Sequence, residues 1–148
     1  RYCYIDYCVV ASRGYNYATA YEIALKLKEL NYIIAEPYSS ADFQHGPVAL
    51  VEHGFPVLAI VPEGALADEL TGFFQQLIDK GADLIVVSAE EQALALAQTA
   101  LPIPAGIPEW VSPLVTVVQG QLFALGLTQA KRFDPDHPRG LNKVTLTK

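Results

Sequence analysis

The 148-residue sequence contains no methionine, two cysteines, one tryptophan, and ten basic residues against sixteen acidic ones. The charge balance of −6 and the absence of any basic run argue against a nucleic-acid partner, because neutralising phosphates takes clustered Lys and Arg. Cys3 and Cys8 are too few for a disulfide framework or a four-cysteine zinc site. No pairing of His, Cys, Asp or Glu has metal-ligand spacing, so no metal is expected. Neither standard Gly-rich phosphate loop is present, nor a nucleophile elbow, and no cofactor is expected. A chain that starts at Arg1 and lacks Met reads as a processed or excised piece. No basic-then-apolar leader precedes a small-residue cleavage site, and the expected compartment is the cytoplasm. One stretch, Trp110 to Ala130, carries no charge and is long enough to span a bilayer. It also carries Ser112, Thr116, Gln119, Gln121, Thr128 and Gln129, with two glutamines around Gly120 near its middle. These suit lipid poorly, so a buried helix in a soluble protein is expected rather than a membrane contact.

What is present is a core. Hydrophobic residues make up 51% of the chain and charged residues 18%, enough for one ordered domain and too apolar for disorder. Three short apolar runs, Cys8–Ala11, Pro56–Val61 and Leu84–Val87, read as buried strands, and Leu101–Ile103 as a fourth. Helices are expected at 17–31, Leu66–Lys80 (closed by Gly81), Glu90–Gln98 and Glu109–Ala130. Residues 32–46, with Pro37, Ser39, Ser40 and Gly46, read as irregular, and Gly46-Pro47 as the start of a short helix. Strands that are apolar throughout and separated by helices predict a mostly parallel sheet covered on both faces, a three-layer α/β/α sandwich. Sites in such sheets lie at the carboxyl ends of the strands, where Ser12-Arg13-Gly14 and Pro62-Glu63-Gly64 fall.

Glu22, Lys26 and Glu29 recur at i, i+4 and i+7, which places them within roughly 60° of one helix face. Two carboxylates flanking an ammonium can do acid–base work, but on spacing alone a solvated Glu–Lys stripe is the commoner reading. His45 sits beside Gly46-Pro47, which fixes its backbone. Near neutrality it can give and take protons, although a loop histidine with an ordinary hydrogen bond fits equally well. His53 and His137 read as surface residues. Ser12-Arg13-Gly14 could hold an anion before a helix N-terminus, and Ser39 and Ser40 offer hydroxyls, as loops commonly do. All eight tyrosines fall in the first 38 residues, which suits either a face toward another domain or an ordinary amphipathic rim.

Four motifs in order resemble a known family. Ser12-Arg13-Gly14 is followed by Tyr21-Glu22-Ile23-Ala24-Leu25-Lys26-Leu27-Lys28-Glu29, then Ala35-Glu36-Pro37-Tyr38, then His45-Gly46-Pro47. This series resembles the second sugar isomerase (SIS) domain of glutamine–fructose-6-phosphate aminotransferases. Their pattern reads Leu-Glu-Gly-Ala-Leu-Lys-Leu-Lys-Glu, Ala-Glu-Ala-Tyr and Lys-His-Gly-Pro. Pro138-Arg139-Gly140-Leu141-Asn142-Lys143 is similar to the family's tail, Pro-Arg-Asn-Leu-Ala-Lys. Two departures stand out: Ile23 takes the place of a Gly, and Gln44 that of the Lys before the histidine.

The resemblance implies a flavodoxin-like SIS domain over residues 1–148, the second of two in its parent, with 131–148 as the tail. It implies a phosphorylated hexose or hexosamine as substrate. The position of Glu29 would move a proton between C1 and C2, and that of His45 would assist ring opening from the neighbouring subunit of a homodimer. The position of Lys143 would bring an amine to the open-chain sugar, and Glu22 and Lys26 would support the base. Arg13, Gly14, Ser39 and Ser40 are the expected substrate-binding positions. The phosphate loop of the family belongs to an upstream SIS domain, so the fragment alone is expected to be inactive. The reaction is isomerisation with amino transfer if a glutaminase domain lies upstream, and deamination if not. A non-catalytic sugar-phosphate-binding module is the competing reading; a flavodoxin-like response domain is disfavoured, since the strand ends carry no acidic cluster.

Overall fold

The computed structural model describes residues 1–140. Five parallel strands run in the order β2-β1-β3-β4-β5: β1 Tyr7–Ser12, β2 Ile34–Ser39, β3 Pro56–Val61, β4 Asp83–Ser88 and β5 Thr99–Pro102. Every residue of β3 is buried, as an unbroken Pro-Val-Leu-Ala-Ile-Val run in the middle of a two-faced sheet requires. Alternate side chains feed two cores. Val9, Ala11, Val57, Ala59, Leu84 and Val86 face one side with Phe43, Phe73 and Phe74. Val10, Leu58, Ile60, Ile85 and Val87 face the other with Ile23, Leu27 and Leu127. Helices cover both sides, so the expected three-layer α/β/α sandwich with a parallel sheet is what forms.

Helices α1 (Asn16–Asn31) and α5 (Ser112–Ala130) share one face; α2 (Ser40–Gln44), α3 (Ala67–Asp79) and α4 (Glu91–Ala95) lie on the other. α1 and α5 pack closely at Gly120. A methyl group built on Gly120 would stand 2.2 Å from the Cδ1 of Ile23, which is fully buried. Buried polar side chains flank this crossing. Asn16 donates to Ser112 Oγ at 2.6 Å and accepts from Thr116, while Asn31 donates to Thr128 Oγ1 at 2.8 Å and to the Ala124 carbonyl at 3.2 Å. α3 ends as its sequence signals: Gly81 takes φ +100°, and its N–H donates to the Ile78 carbonyl at 2.7 Å.

The structure corrects several boundaries. Residues 32–46 are not irregular: they hold β2 and α2, followed by a 3-10 turn at Pro47–Leu50. The helix expected at 90–98 shortens to α4, the last strand shifts back to β5, and α5 starts three residues later than expected. α5 is also not a buried helix. Leu114 (72% exposed), Val118, Leu122 and Leu125, at i, i+4, i+8 and i+11, form an apolar stripe facing outward, with Trp110 exposed before it. Tyr15, Tyr21 and Leu25 of the α1 region are exposed as well. Among the described residues no helix is long and apolar enough to cross a membrane.

Candidate functional site

The acid–base trio stands on α1 because helical spacing puts it there, and side-chain contacts now join it. The Lys26 ammonium donates to the Glu29 carboxylate at 2.6 Å and stands 3.8 Å from that of Glu22. Its hydrogen bond to Glu29 is the main reason its pKa is held above the ordinary lysine value, with burial opposing. All three side chains are partly exposed, roughly a third each (28%, 29% and 38%), so the cluster is open to a ligand without being dry. A carboxylate whose oxygen is aimed by a fixed ammonium can take a carbon-bound proton, and the ammonium can then steady charge on a neighbouring oxygen.

His45 follows α2 in an exposed position, its N–H donating to the Asp42 carbonyl at 3.1 Å. Gly46, at φ +140°, turns the chain there, and Pro47 opens the 3-10 turn. Ser39 caps α2 by accepting the Asp42 N–H at 3.4 Å, while Ser40 is buried with its hydroxyl unpartnered among the described residues. Arg13 forms an ion pair with Glu69 of α3. Gly14, at φ +63°, turns the chain into α1, and the hydroxyl of Ser12 donates to the Ile60 carbonyl at 3.0 Å. Lys143 lies outside the described residues. The structure therefore joins Glu22, Lys26 and Glu29 into one cluster. It places Arg13 and Gly14 at the carboxyl end of β1, and Ser39, Ser40 and His45 around α2.

The strand order reverses between β1 and β3, and the crevice at such a switch point is where open α/β sheets hold ligands. Here it contains a carboxylate of the chain itself. Glu109 accepts the Ala65 N–H at 3.4 Å and lies against both Gly14 and Gly64, where a methyl on Gly64 would stand 2.5 Å from its Oε2. Glu63 ties the same region by accepting the Gly106 N–H at 2.6 Å. Sequence reasoning missed Glu109. The signal was a pair of glycines, each just after a strand, which left room for a side chain from elsewhere. Separately, a cavity of about 430 Å3 opens at the β2 edge among Tyr7, Ile34, Glu36, Tyr38, Leu50 and Phe55, and among the described residues none of the expected site residues lines it.

The SIS domain family model matches residues 8–129, which is most of the chain. The chain belongs to the SIS domain family. Over 131 residues this SIS domain is 40% identical to a glutamine–fructose-6-phosphate aminotransferase (isomerising) of Thermococcus kodakarensis, covering 88% of the chain and 22% of that protein. It superposes on the C-terminal domain of glucosamine-fructose-6-phosphate aminotransferase from Francisella tularensis with a TM-score of 0.81 and 31% identity. That match covers 92% of the chain and 39% of the other. A glucosamine-6-phosphate deaminase from Thermotoga maritima shares the fold (TM-score 0.71, 22% identity, 94% of the chain and 40% of the other). The SIS domain thus spans about a fifth of the length of the curated relatives it matches.

Proposed function

We propose that this SIS domain supplies the proton-transfer machinery for aldose–ketose isomerisation of a hexose or hexosamine 6-phosphate. It would be the second of two SIS domains in a larger protein. The observation that carries the reading is the Glu22–Lys26–Glu29 cluster, partly exposed and hydrogen-bonded, on the helix whose sequence resembles the isomerase motif. In the open-chain sugar, Glu29 removes the proton from one of C1 and C2. The electrons left behind form the C1–C2 double bond as the carbonyl electrons move onto oxygen, giving the enediolate or its amino counterpart; a proton passes between the two heteroatoms, and the carbon-bound proton returns to the other carbon. Lys26 holds the Glu29 carboxylate in place, and a cation beside the developing oxygen charge lowers the barrier. Glu22 shares the ammonium and completes the cluster. His45, exposed beside a fixed Gly-Pro turn, opens the sugar ring from the neighbouring subunit of a homodimer, and Lys143 brings an amine from the 131–148 tail. Arg13, Gly14, Ser39 and Ser40 stand at the carboxyl ends of β1 and β2, at the opposite end of α1 from Glu29, and the resemblance alone supports them as substrate contacts. The phosphate is held by the upstream domain, and the outward apolar stripe of α5 is a surface such a neighbour would cover.

The test uses the intact gene product with fructose 6-phosphate and, separately, with glucosamine 6-phosphate, without glutamine, in deuterated water. Ammonia and the deuterium content of fructose 6-phosphate are followed together. Solvent deuterium entering the ketose, abolished by Glu29→Gln with sugar binding kept, is the expected result. Ammonia released in the same assay and lost in the same variant marks deamination as the direction of use. Binding without exchange or ammonia refutes catalysis and leaves a sugar-phosphate-binding module.

A further inference from the structure

The crossover from β2 to β3 leaves part of the sheet bare. It runs from Ser40 to Phe55 and holds only the five residues of α2 and the 3-10 turn at Pro47–Leu50. Five helical residues rise about 7.5 Å, whereas a six-residue strand is about 20 Å long. On the opposite face the 16-residue α1 covers the same strands. Phe43, meeting Tyr38 edge to face with centroids 5.2 Å apart, fills the carboxyl half of the gap. At the amino half, where Tyr7 pairs with Ile34 and Val9 with Glu36, the cavity of about 430 Å3 remains. Ile34 is 66% exposed, Leu50 59% and Tyr7 45%. Scattered apolar side chains on a surface carry no meaning, but several gathered round one concavity mark a binding surface.

The chemistry of the lining selects the occupant. Small-molecule sites are typically about 300–1,000 Å3, and this cavity falls in that range. Three aromatic side chains line it, Tyr7, Tyr38 and Phe55, with the Tyr7 and Phe55 rings 5.3 Å apart. Its charged lining is two carboxylates, Glu36 and Glu52, and among the described residues no basic side chain lines it. Lys28 approaches Glu36 only to 4.0 Å, with both side chains about half exposed, and a contact of that kind is weak. A sugar phosphate would meet two like charges here and no cation, so the substrate of the proposed reaction does not suit the cavity. Aromatic faces attract cations, the carboxylates complement them, and Ile34 and Leu50 suit an apolar body. We propose that this cavity binds a small organic cation, an amine or quaternary ammonium carrying an apolar body. The proposal does not depend on the isomerase reading, because the cavity lies on the other face of the sheet from α1 and its Glu22–Lys26–Glu29 cluster.

The probe is benzyltrimethylammonium, with benzyl alcohol as its uncharged counterpart and benzoate as its anionic one. Each is titrated calorimetrically into the intact gene product. The cation is expected to bind with a Kd of about 1 mM or tighter, the scale open to so small a ligand. Benzyl alcohol should bind at least about fivefold more weakly, since it lacks the attraction of a cation to the rings and carboxylates, and benzoate should not bind. Glu36→Gln/Glu52→Gln should weaken the cation about tenfold. Both positions are exposed, so the unfolding midpoint should stay within about 2 °C. Asp68→Asn/Glu91→Gln removes the same charge from exposed positions outside the cavity lining and should leave binding unchanged. Nuclear Overhauser contacts should join the N-methyl protons to the Tyr7 and Phe55 rings. Equal binding of cation and alcohol overturns the proposal, because the cavity is then merely apolar. An equal loss in the two double variants overturns it as well, since the attraction is then that of a chain with net charge −6. No binding of the cation up to about 20 mM, well above the expected Kd, does the same. If a neighbouring segment or a second copy fills the cavity instead, that absence of binding is accompanied by a fall in the unfolding midpoint on Ile34→Glu.

Discussion

Gly120→Ala offers a sharp test of how α1 and α5 are held together. The new methyl would lie 2.2 Å from Ile23 Cδ1 and 2.3 Å from its Cγ1. Carbon atoms rest at about 3.5–4.0 Å, so one side must retreat by on the order of 1.5 Å. Ile23 has little freedom to do so, being fully buried between Ala20, Ala24 and Leu27 of its own helix and the sheet. Overpacking of this kind costs roughly 1–3 kcal/mol. Against it stands the gain from replacing a mid-helix glycine by alanine, roughly 0.5–1 kcal/mol. The packing term wins, and the expected net change is a loss of about 1–2 kcal/mol. Ile23→Ala alone should cost about 2–4 kcal/mol by opening a cavity. In that background the clash is gone, so Gly120→Ala should become stabilising by up to about 1 kcal/mol. The assay is urea unfolding of the four chains of this double-mutant cycle, read as midpoints at constant slope. A Gly120→Ala effect of the same sign and size in both backgrounds would refute the close-approach argument. The pair also makes sense of a departure in the sequence: Ile23 stands where the isomerase helix motif has glycine, and the room it needs is provided by a glycine on α5.

Two further outcomes are expected. Burial pushes the Cys8 thiol up to about 12, so at pH 8 it is neutral and inaccessible. Mass spectrometry after iodoacetamide should find it unlabelled in the native chain and labelled in urea, and native labelling would contradict its place in the core. His137 is raised above its ordinary 6.5 chiefly by its hydrogen bond to Asp134. Its protonated form is therefore favoured in the fold: the contribution is complete below the unfolded pKa and is lost as pH rises through the higher folded one. NMR titration should place His137 above 6.5, with Asp134→Asn lowering it, and an unmoved titration would show that the contact does not form in solution.

The sheet was legible because β1, β3 and β4 are built on the unbroken apolar runs Cys8–Ala11, Pro56–Val61 and Leu84–Val87, as strands of a doubly covered parallel sheet are. β2 was not legible because an edge strand pairs on one side only. It therefore tolerates Pro37, Glu36 and Ser39, residues that read as breakers in sequence. α5 was found but wrongly placed in a fully buried setting. A helix apolar on every side has no periodicity to say which face meets the core, so the exposure of Leu114 and Val118 could not be read. In the candidate site, the i, i+4, i+7 spacing already put Glu22, Lys26 and Glu29 on one face, and the structure adds that Lys26 bonds Glu29 more closely than Glu22. Contacts between distant segments are not paired by local spacing: the glycines after β1 and β3 mark room for a side chain, but that Glu109 fills it, and that Arg139 lies on Tyr32, is set by the fold.

The close packing of α1 on α5 also orders events during synthesis. The face of α1 that carries Ile23, Asn16 and Asn31 has no cover until α5 is made, and 80 residues lie between Asn31 and Ser112. At roughly 5–20 residues per second, a ribosome takes about 4–16 s to cross that interval. Throughout it, the nascent chain can build sheet and helices yet keeps an apolar, amide-bearing groove open beside α1. That interval is the period in which the emerging chain is most exposed to chaperone capture or to sticking to a neighbour. A translational pause before residue 112 would lengthen it, whereas once α5 has emerged from the ribosome the groove is filled.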